Sequence, residues 1–408
     1  MLFRFNLLQK KLYIIFISLS ILFPTKLQLE RLILLAAIIM IAFLILIARN
    51  FKFRLSKNVL FFFTATMFVS FFGILHGILK TAPGTIEYVT IFLIWPFVFV
   101  FLISVNPNFV LQHYFDKIFP FVYLVIAFSI LSYLPLISFG DIFNYYNVIL
   151  GTRINFISTY PEFSSPLMGW FIFAVPFFFF SFILKWVWTK PRLLDLFFAF
   201  LSLLILLISG RRGMWFSTSL SLFLFILIIV IHQKDVIKKL IFVALPIFVF
   251  SFFILNKLNF EFDDLVNSLK IDLDTSSDLT RITQIKALYN GWIESPIIGQ
   301  GIGAITLDRR HGYWFQPWAY ELQYNLLIFQ VGIFGFFVYV LSTIYIIYSL
   351  LLHSLKRRDV TLFSFTAGFS SLILANSTNP YLNKFDYILI LFFAVHMLNR
   401  INGKYYYC

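Results

Sequence analysis

The chain is 408 residues long, 61% hydrophobic and only 12% charged, with 57 Phe and a formal net charge of +14. Soluble domains are about a quarter charged and could not hide so many apolar residues in one core. The composition excludes a soluble globular protein and describes an α-helical membrane protein of many spans.

A span needs about 20 mostly apolar residues. In chain order, that ruler predicts twelve spans, near 12–25, 31–48, 58–78, 88–105, 118–138, 166–188, 193–209, 214–232, 239–256, 320–352, 361–377 and 385–399. Met1 to Ser20 has basic residues before an apolar run but no small-residue cleavage site, so it reads as a retained helix rather than a removed signal. Twelve spans put both termini on one side. With the N-terminus in the cytoplasm, that side receives 19 basic and 4 acidic residues, and the opposite side 13 basic and 14 acidic. The basic excess is thus almost wholly cytoplasmic, as the positive-inside rule requires. It reports topology and argues against nucleic-acid binding. The only cysteine, Cys408, is the last residue, which excludes a disulfide within the chain and speaks against thiol chemistry or a cysteine metal site.

No internal repeat, low-complexity linker or separate soluble domain is visible, so residues 1–408 read as a single membrane domain. Two external connections are long: one from about Gly140 to Ser165, the other 257–318, between spans 9 and 10. Before the second lies Ser209-Gly210-Arg211-Arg212-Gly213, a pair of arginines between two spans. A guanidinium keeps its charge, so at the membrane edge it needs an anion, a watery cavity or headgroups. The spacing does not decide which arginine faces inward.

Within the large loop, Thr275 to Asp278 supply N-cap residues and Gly299 to Gly303 follow Pro296, which predicts a short amphipathic helix over 278–293. At about 100° per residue, Ile282, Ile285, Leu288, Tyr289 and Trp292 share one arc with Arg281, the only charge in it. Arg281 either snorkels to headgroups or forms an anion site facing the membrane interior. Arg309-Arg310-His311 then precede Tyr313-Trp314-Phe315 and Trp318, aromatic residues suited to the membrane interface or to stacking on sugars. Glu321 opens the tenth span, where a carboxylate gains from the helix N-terminus yet still needs polar company.

These features in this order resemble the O-antigen polymerase and O-antigen ligase superfamily of bacterial envelope glycosyltransferases. Ser209 to Gly213 is similar to its Ser/Arg/Gly signature; Arg281, Trp292 and Pro296-Ile297-Ile298-Gly299-Gln300-Gly301 to its arginine, tryptophan and Pro-x-x-Gly-x-Gly segment; and Glu321 to Gly332-Ile333-Phe334-Gly335 to its closing Gly-x-x-Gly element. Arg153 with Pro161-Glu162-Phe163-Ser164 resembles an Arg…Glu-Pro-Ser element of the polymerases, with Phe163 in place of the usual proline. Ligases carry a histidine eleven residues before the first glycine of Gly-x-x-Gly; this chain has Glu321 there, and His311 lies ten residues upstream. That departure leans toward the polymerases.

The resemblance implies an all-α, glycosyltransferase-C-like fold of about 12 transmembrane helices in a bacterial cytoplasmic (inner) membrane, with the active site on the periplasmic side. The implied activity joins polyprenyl-diphosphate-linked oligosaccharide repeat units, donor and acceptor both carried on lipid, into a surface polysaccharide. Membrane lipid is the surrounding partner, and a chain-length regulator protein is a partner that the family implies. No cofactor or metal is implied, because a neutralised diphosphate leaves readily and electrostatic stabilisation can carry much of the rate. Arginine's planar fork suits phosphate oxygens, so Arg281, Arg211 and Arg212 are assigned to the diphosphate. Glu321, and after it His311, is the candidate base for the acceptor hydroxyl. Arg153, Glu162, Trp292, Arg310 and Tyr320 are candidate substrate contacts. The alternatives are an O-antigen ligase that transfers glycan to lipid A-core, a flippase for lipid-linked oligosaccharide, which would more often show repeats and broken helices near the midplane, and a structural scaffold.

Overall fold

The computed structural model describes residues 2–105, 111–132, 141–157, 160–233, 276–306, 317–402 and 405–407. Helices α1 (Leu2–Leu22), α2 (Gln28–Ala48) and α3 (Lys57–Leu79) are each long and apolar enough to cross a bilayer. The next span, Thr85–Val105, is one rod in three parts, α4 (Thr85–Val89), a π-helical turn (Thr90–Ile94) and α5 (Trp95–Val105). Pro96 explains the widened turn: it has no N–H to give and its ring crowds the preceding turn. α6 (Leu111–Lys117) and α7 (Phe119–Leu131) form a pair bent by 49°, with Pro120 in the first turn of α7, where proline is tolerated.

α8 (Asp141–Leu150) precedes the hairpin of β2 (Arg153–Ile157) and β3 (Tyr160–Ser164). β1 (Arg54–Ser56), just before α3, pairs with β4 (Tyr405–Tyr407) at the C-terminal end. α9 (Met168–Trp188), α10 (Leu193–Ile208) and α11 (Arg212–His232) follow, then α12 (Ser276–Ile293), α13 (Gln323–Arg357), α14 (Val360–Ala375) and α15 (Phe385–Ile401). Every predicted span in the described residues coincides with an apolar helix, three of them only 10–17 residues long. The span predicted near 239–256 lies outside the described residues. The chain is an all-α, multi-pass membrane protein whose only strands, among the described residues, are two short pairings.

The core centres on α9, buried at every position from Met168 to Leu184, as expected for a helix apolar on all sides. Its phenylalanines interlock with rings from α6, α7 and α14: Phe173 lies 5.6 Å from Phe115 and 5.4 Å from Phe365, and Phe119 stacks on Phe178 at 5.5 Å. At one end of α9, Lys185 Nζ meets Asp195 at 2.7 Å and Asp116 at 3.4 Å, tying α9 to α10 and α6. The opposite end of the bundle carries Arg211, Glu321 and the turn between α14 and α15.

α12 packs differently from the periodicity's expectation. Gln284, Ala287 and Leu288 are buried, whereas Leu279, Ile285, Tyr289 and Ile293 are exposed. The helix meets α13 through Leu288, which clusters with Leu326 and Phe329, and through Gly291, where a Cβ would lie 2.5 Å from the Phe329 ring. Periodicity reveals that a helix has an apolar face, but in a membrane protein that face can turn outward to lipid as readily as inward.

α13 is broken at Gly332, whose φ of 66° and ψ of −177° interrupt a rod of 35 residues. The break releases the carbonyls of Phe329 and Gln330, which accept from the N–H groups of Gln300 (2.8 Å) and Gly301 (2.9 Å), while Ile333 N–H donates to Pro296 O at 2.9 Å. Ile302 N–H in turn donates to Gly73 O of α3 at 2.8 Å. Thus Pro-x-x-Gly-x-Gly is a plug seated in the gap opened by Gly-x-x-Gly. Glycine is required on both sides: a Cβ on Gly332 would stand 2.1 Å from Ile297 O, and one on Gly299 2.5 Å from Gln330 O.

Candidate active site

The plug fixes α12 across the start of α13, and this sets Arg281 against Glu321. Arg281 Nε donates to Glu321 Oε2 at 2.9 Å, with both side chains partly open to solvent. Glu321 N–H donates to Gln284 Oε1 at 3.1 Å, so one turn of α12 holds both the carboxylate and the backbone that carries it.

Arg211 arrives from the other side. It is the N-cap of α11 and follows Gly210, whose φ of 64° turns the chain between α10 and α11. Arg211 Nε donates to Phe163 O at 2.7 Å, and Phe163 N–H donates to Ser209 O at 3.1 Å. The β2–β3 hairpin is therefore clamped onto the arginine run. In that hairpin Arg153 pairs with Ser164, and Glu162 with Asn155.

Tyr381, in the short 3₁₀ turn Tyr381–Asn383 between α14 and α15, joins the two halves. Burial pushes its hydroxyl pKa up to about 12, while the positive charges of Arg211 and Arg281 act in the opposite direction. Both guanidiniums thus bear on one phenol, which stays neutral at physiological pH. The turn packs against the start of α11, with Thr378 Oγ1 2.9 Å from where a Cβ on Gly213 would sit, and Asn376 Oδ1 accepts from Leu382 N–H at 3.0 Å.

Arg281 and Glu321 are therefore paired, Arg211 bears on the same phenol as Arg281, and Arg212 is the first residue of α11. Trp292 and Tyr320 are engaged in holding the loop: Trp292 Nε1 donates to Pro296 O at 3.0 Å, and the Tyr320 hydroxyl accepts from Thr306 N–H at 2.9 Å. Arg153 is exposed on the hairpin. Arg310 and His311 lie outside the described residues. Sequence reasoning missed Tyr381 and Gln284. The signal for Tyr381 was present: Asn376-Ser377-Thr378-Asn379-Pro380-Tyr381-Leu382-Asn383 is a polar run between two apolar helices.

Two cations, a carboxylate and a neutral phenol, partly open to solvent at one end of an apolar bundle, can bind a polyanion and accept a proton beside it. Residues 197–341, from α10 to the middle of α13, match the family model described as O-antigen ligase. No curated protein matches the chain. The matched stretch contains Arg211, Arg281, Glu321 and both halves of the plug. This match, over about a third of the chain, supports the resemblance to the O-antigen ligase and polymerase superfamily.

Proposed function

We propose that this protein polymerises polyprenyl-diphosphate-linked oligosaccharide repeat units at the outer face of the cytoplasmic membrane. The observation that carries the reading is the Arg281–Glu321 ion pair at 2.9 Å, with the charges of Arg281 and Arg211 both acting on Tyr381. The acceptor hydroxyl oxygen attacks the anomeric carbon of the carrier-linked chain, and the bond from that carbon to the diphosphate oxygen breaks. The electron pair leaves with polyprenyl diphosphate, and the acceptor proton passes to Glu321. Arg281 and Arg211 neutralise the departing charge. An incoming diphosphate competes with Glu321 for Arg281, so donor binding draws the arginine away and leaves the carboxylate able to accept a proton. No metal is needed in this scheme, since arginine supplies the charge.

The family match supports glycosyl transfer and gives no support to the flippase reading. Its description as O-antigen ligase keeps a ligase as the second reading, in which lipid A-core is the acceptor. Glu321 at the position where ligases have histidine favours the polymerase. Purified protein given lipid-linked repeat units should produce a ladder of longer chains with release of polyprenyl diphosphate. Transfer of single units to lipid A-core, without a ladder, would overturn the polymerase in favour of the ligase.

A further inference from the structure

Glu321 stands in the segment that leads into α13, ahead of the helix itself: Leu322, the N-cap, has φ −90° and ψ 81°. No helical turn holds this stretch of main chain, and its residues are tied down one at a time. Trp318 O accepts from the Tyr88 hydroxyl at 3.2 Å, and the Trp318 indole N–H donates to Glu87 at 3.0 Å. The Tyr320 hydroxyl meets Thr306 N–H at 2.9 Å and Thr306 Oγ1 at 3.0 Å. Glu321 is held from α12: its carboxylate meets Arg281 Nε at 2.9 Å, and its N–H donates to Gln284 Oε1 at 3.1 Å.

These two ties differ in permanence. The side chains of Arg281 and Glu321 are 29% and 39% exposed, within reach of an incoming anion, so a diphosphate that draws Arg281 away removes the first tie. Gln284 is only 3% exposed and carries no charge for a phosphate to attract. Its bond survives the exchange. A main-chain N–H can only donate, so the amide must present its oxygen to Glu321. Arg281 and Gln284 lie three residues apart and share one face of α12, so the turn that presents the cation also carries the tie that remains. A buried amide costs free energy unless it is bonded, and an apolar side chain of the same length would fill the place without that cost.

We propose that Gln284 is a positioning residue: it fixes the main chain of Glu321 so that the carboxylate keeps its aim at the acceptor hydroxyl after Arg281 has turned to the diphosphate. This rests on the reading of Glu321 as the base. Gln284 is buried and acts through Glu321 alone, so its effect on the rate vanishes once that carboxylate is removed.

The test is a double-mutant cycle on the purified full-length protein, with lipid-linked repeat units as substrate and rates taken per folded molecule. Gln284→Met keeps the length of the side chain and removes the acceptor. It should lower kcat by about 10–100-fold, the scale of an ångström's displacement of a catalytic group, with KM for the donor close to that of the wild type. Gln284→Asn keeps a buried amide but is one methylene short, and should show the same split, so the test does not hang on the folding of one variant. In a Glu321→Gln background neither substitution should lower the residual rate further. Wild-type kcat in both variants, an equal loss with and without the Glu321 carboxylate, or a loss confined to KM would overturn the role of Gln284 and leave Glu321 standing as the base. Full activity of Glu321→Gln alone would overturn the base reading, and the positioning role with it.

Discussion

Arg281 is the residue on which three roles converge: it pairs with Glu321, bears on Tyr381 and leaves the packed side of α12 in their direction. Arg281→Ala should lower chain extension by about 10²–10³-fold, the scale of a lost transition-state charge contact, with membrane insertion intact. Arg281→Lys should restore little, since an ammonium lacks the planar fork; a glycan ladder assay reads both. Glu321→Gln keeps the shape and removes the proton acceptor, so activity should fall by about 10²–10⁴-fold. Full activity of Glu321→Gln across pH would exclude the base role. Tyr381 offers a contrast: its hydroxyl is pushed up to about 12 by burial. It stays protonated below that value, so Tyr381→Phe should leave the shape of the pH profile unchanged at neutral and mildly alkaline pH. Arg281 and Glu321 were legible in the sequence because a charge at a membrane edge stands out. The polar run around Tyr381 marked the turn but not the residue, because an aromatic next to an apolar helix looks like any interface anchor and only the fold shows which charges reach it.

At the scale of elements, the sequence motifs are mostly devices of construction. Gly332 and the loop from Pro296 to Gly301 form a plug and socket held by backbone groups, so their conservative replacement should act on stability before chemistry. Gly332→Ala combines a φ of 66° with a Cβ 2.1 Å from Ile297 O. It should destabilise the protein by at least about 1–3 kcal/mol, read as a lower Tm of the detergent-solubilised protein. Gln300→Ala loses only side-chain bonds to Gly291 O, Glu294 and Lys80, about 1 kcal/mol, because its plug contact runs through the main chain. The 278–293 helix was legible in existence and extent, but not in orientation. Ile285 and Tyr289 look like core in a helical wheel, yet both are exposed, and the contact with α13 is made by Leu288, which packs with Leu326 and Phe329, and by Gly291, which lets the Phe329 ring approach closely.

For the whole molecule, composition alone identified the class, and a 20-residue window found the helices, because a bilayer imposes one length on every span. It overran where the chain bends: Ile118 divides α6 from α7, and the helix there ends at Leu131. Order along the chain could not show that α9 is the axis or that α6 reaches it, since a uniformly apolar sequence has no face to read. One polar tie should matter to assembly far from the site. Lys185→Ala would leave Asp195 and Asp116 without their shared cation, at a cost on the order of 3 kcal/mol. The yield of folded protein should fall, while the rate per folded molecule stays near that of the wild type.

The plug also carries a consequence for biogenesis. Its three contributors are made far apart in time: Gly73 early, the loop from Pro296 to Ile302 much later, and the break at Gly332 last. A nascent chain that has not yet exposed the segment past Gly335 has inserted most of its helices but cannot seat the loop. The site therefore matures in one late event, and a chain halted before that segment should insert normally yet expose α12 to protease, whereas the completed chain should protect it.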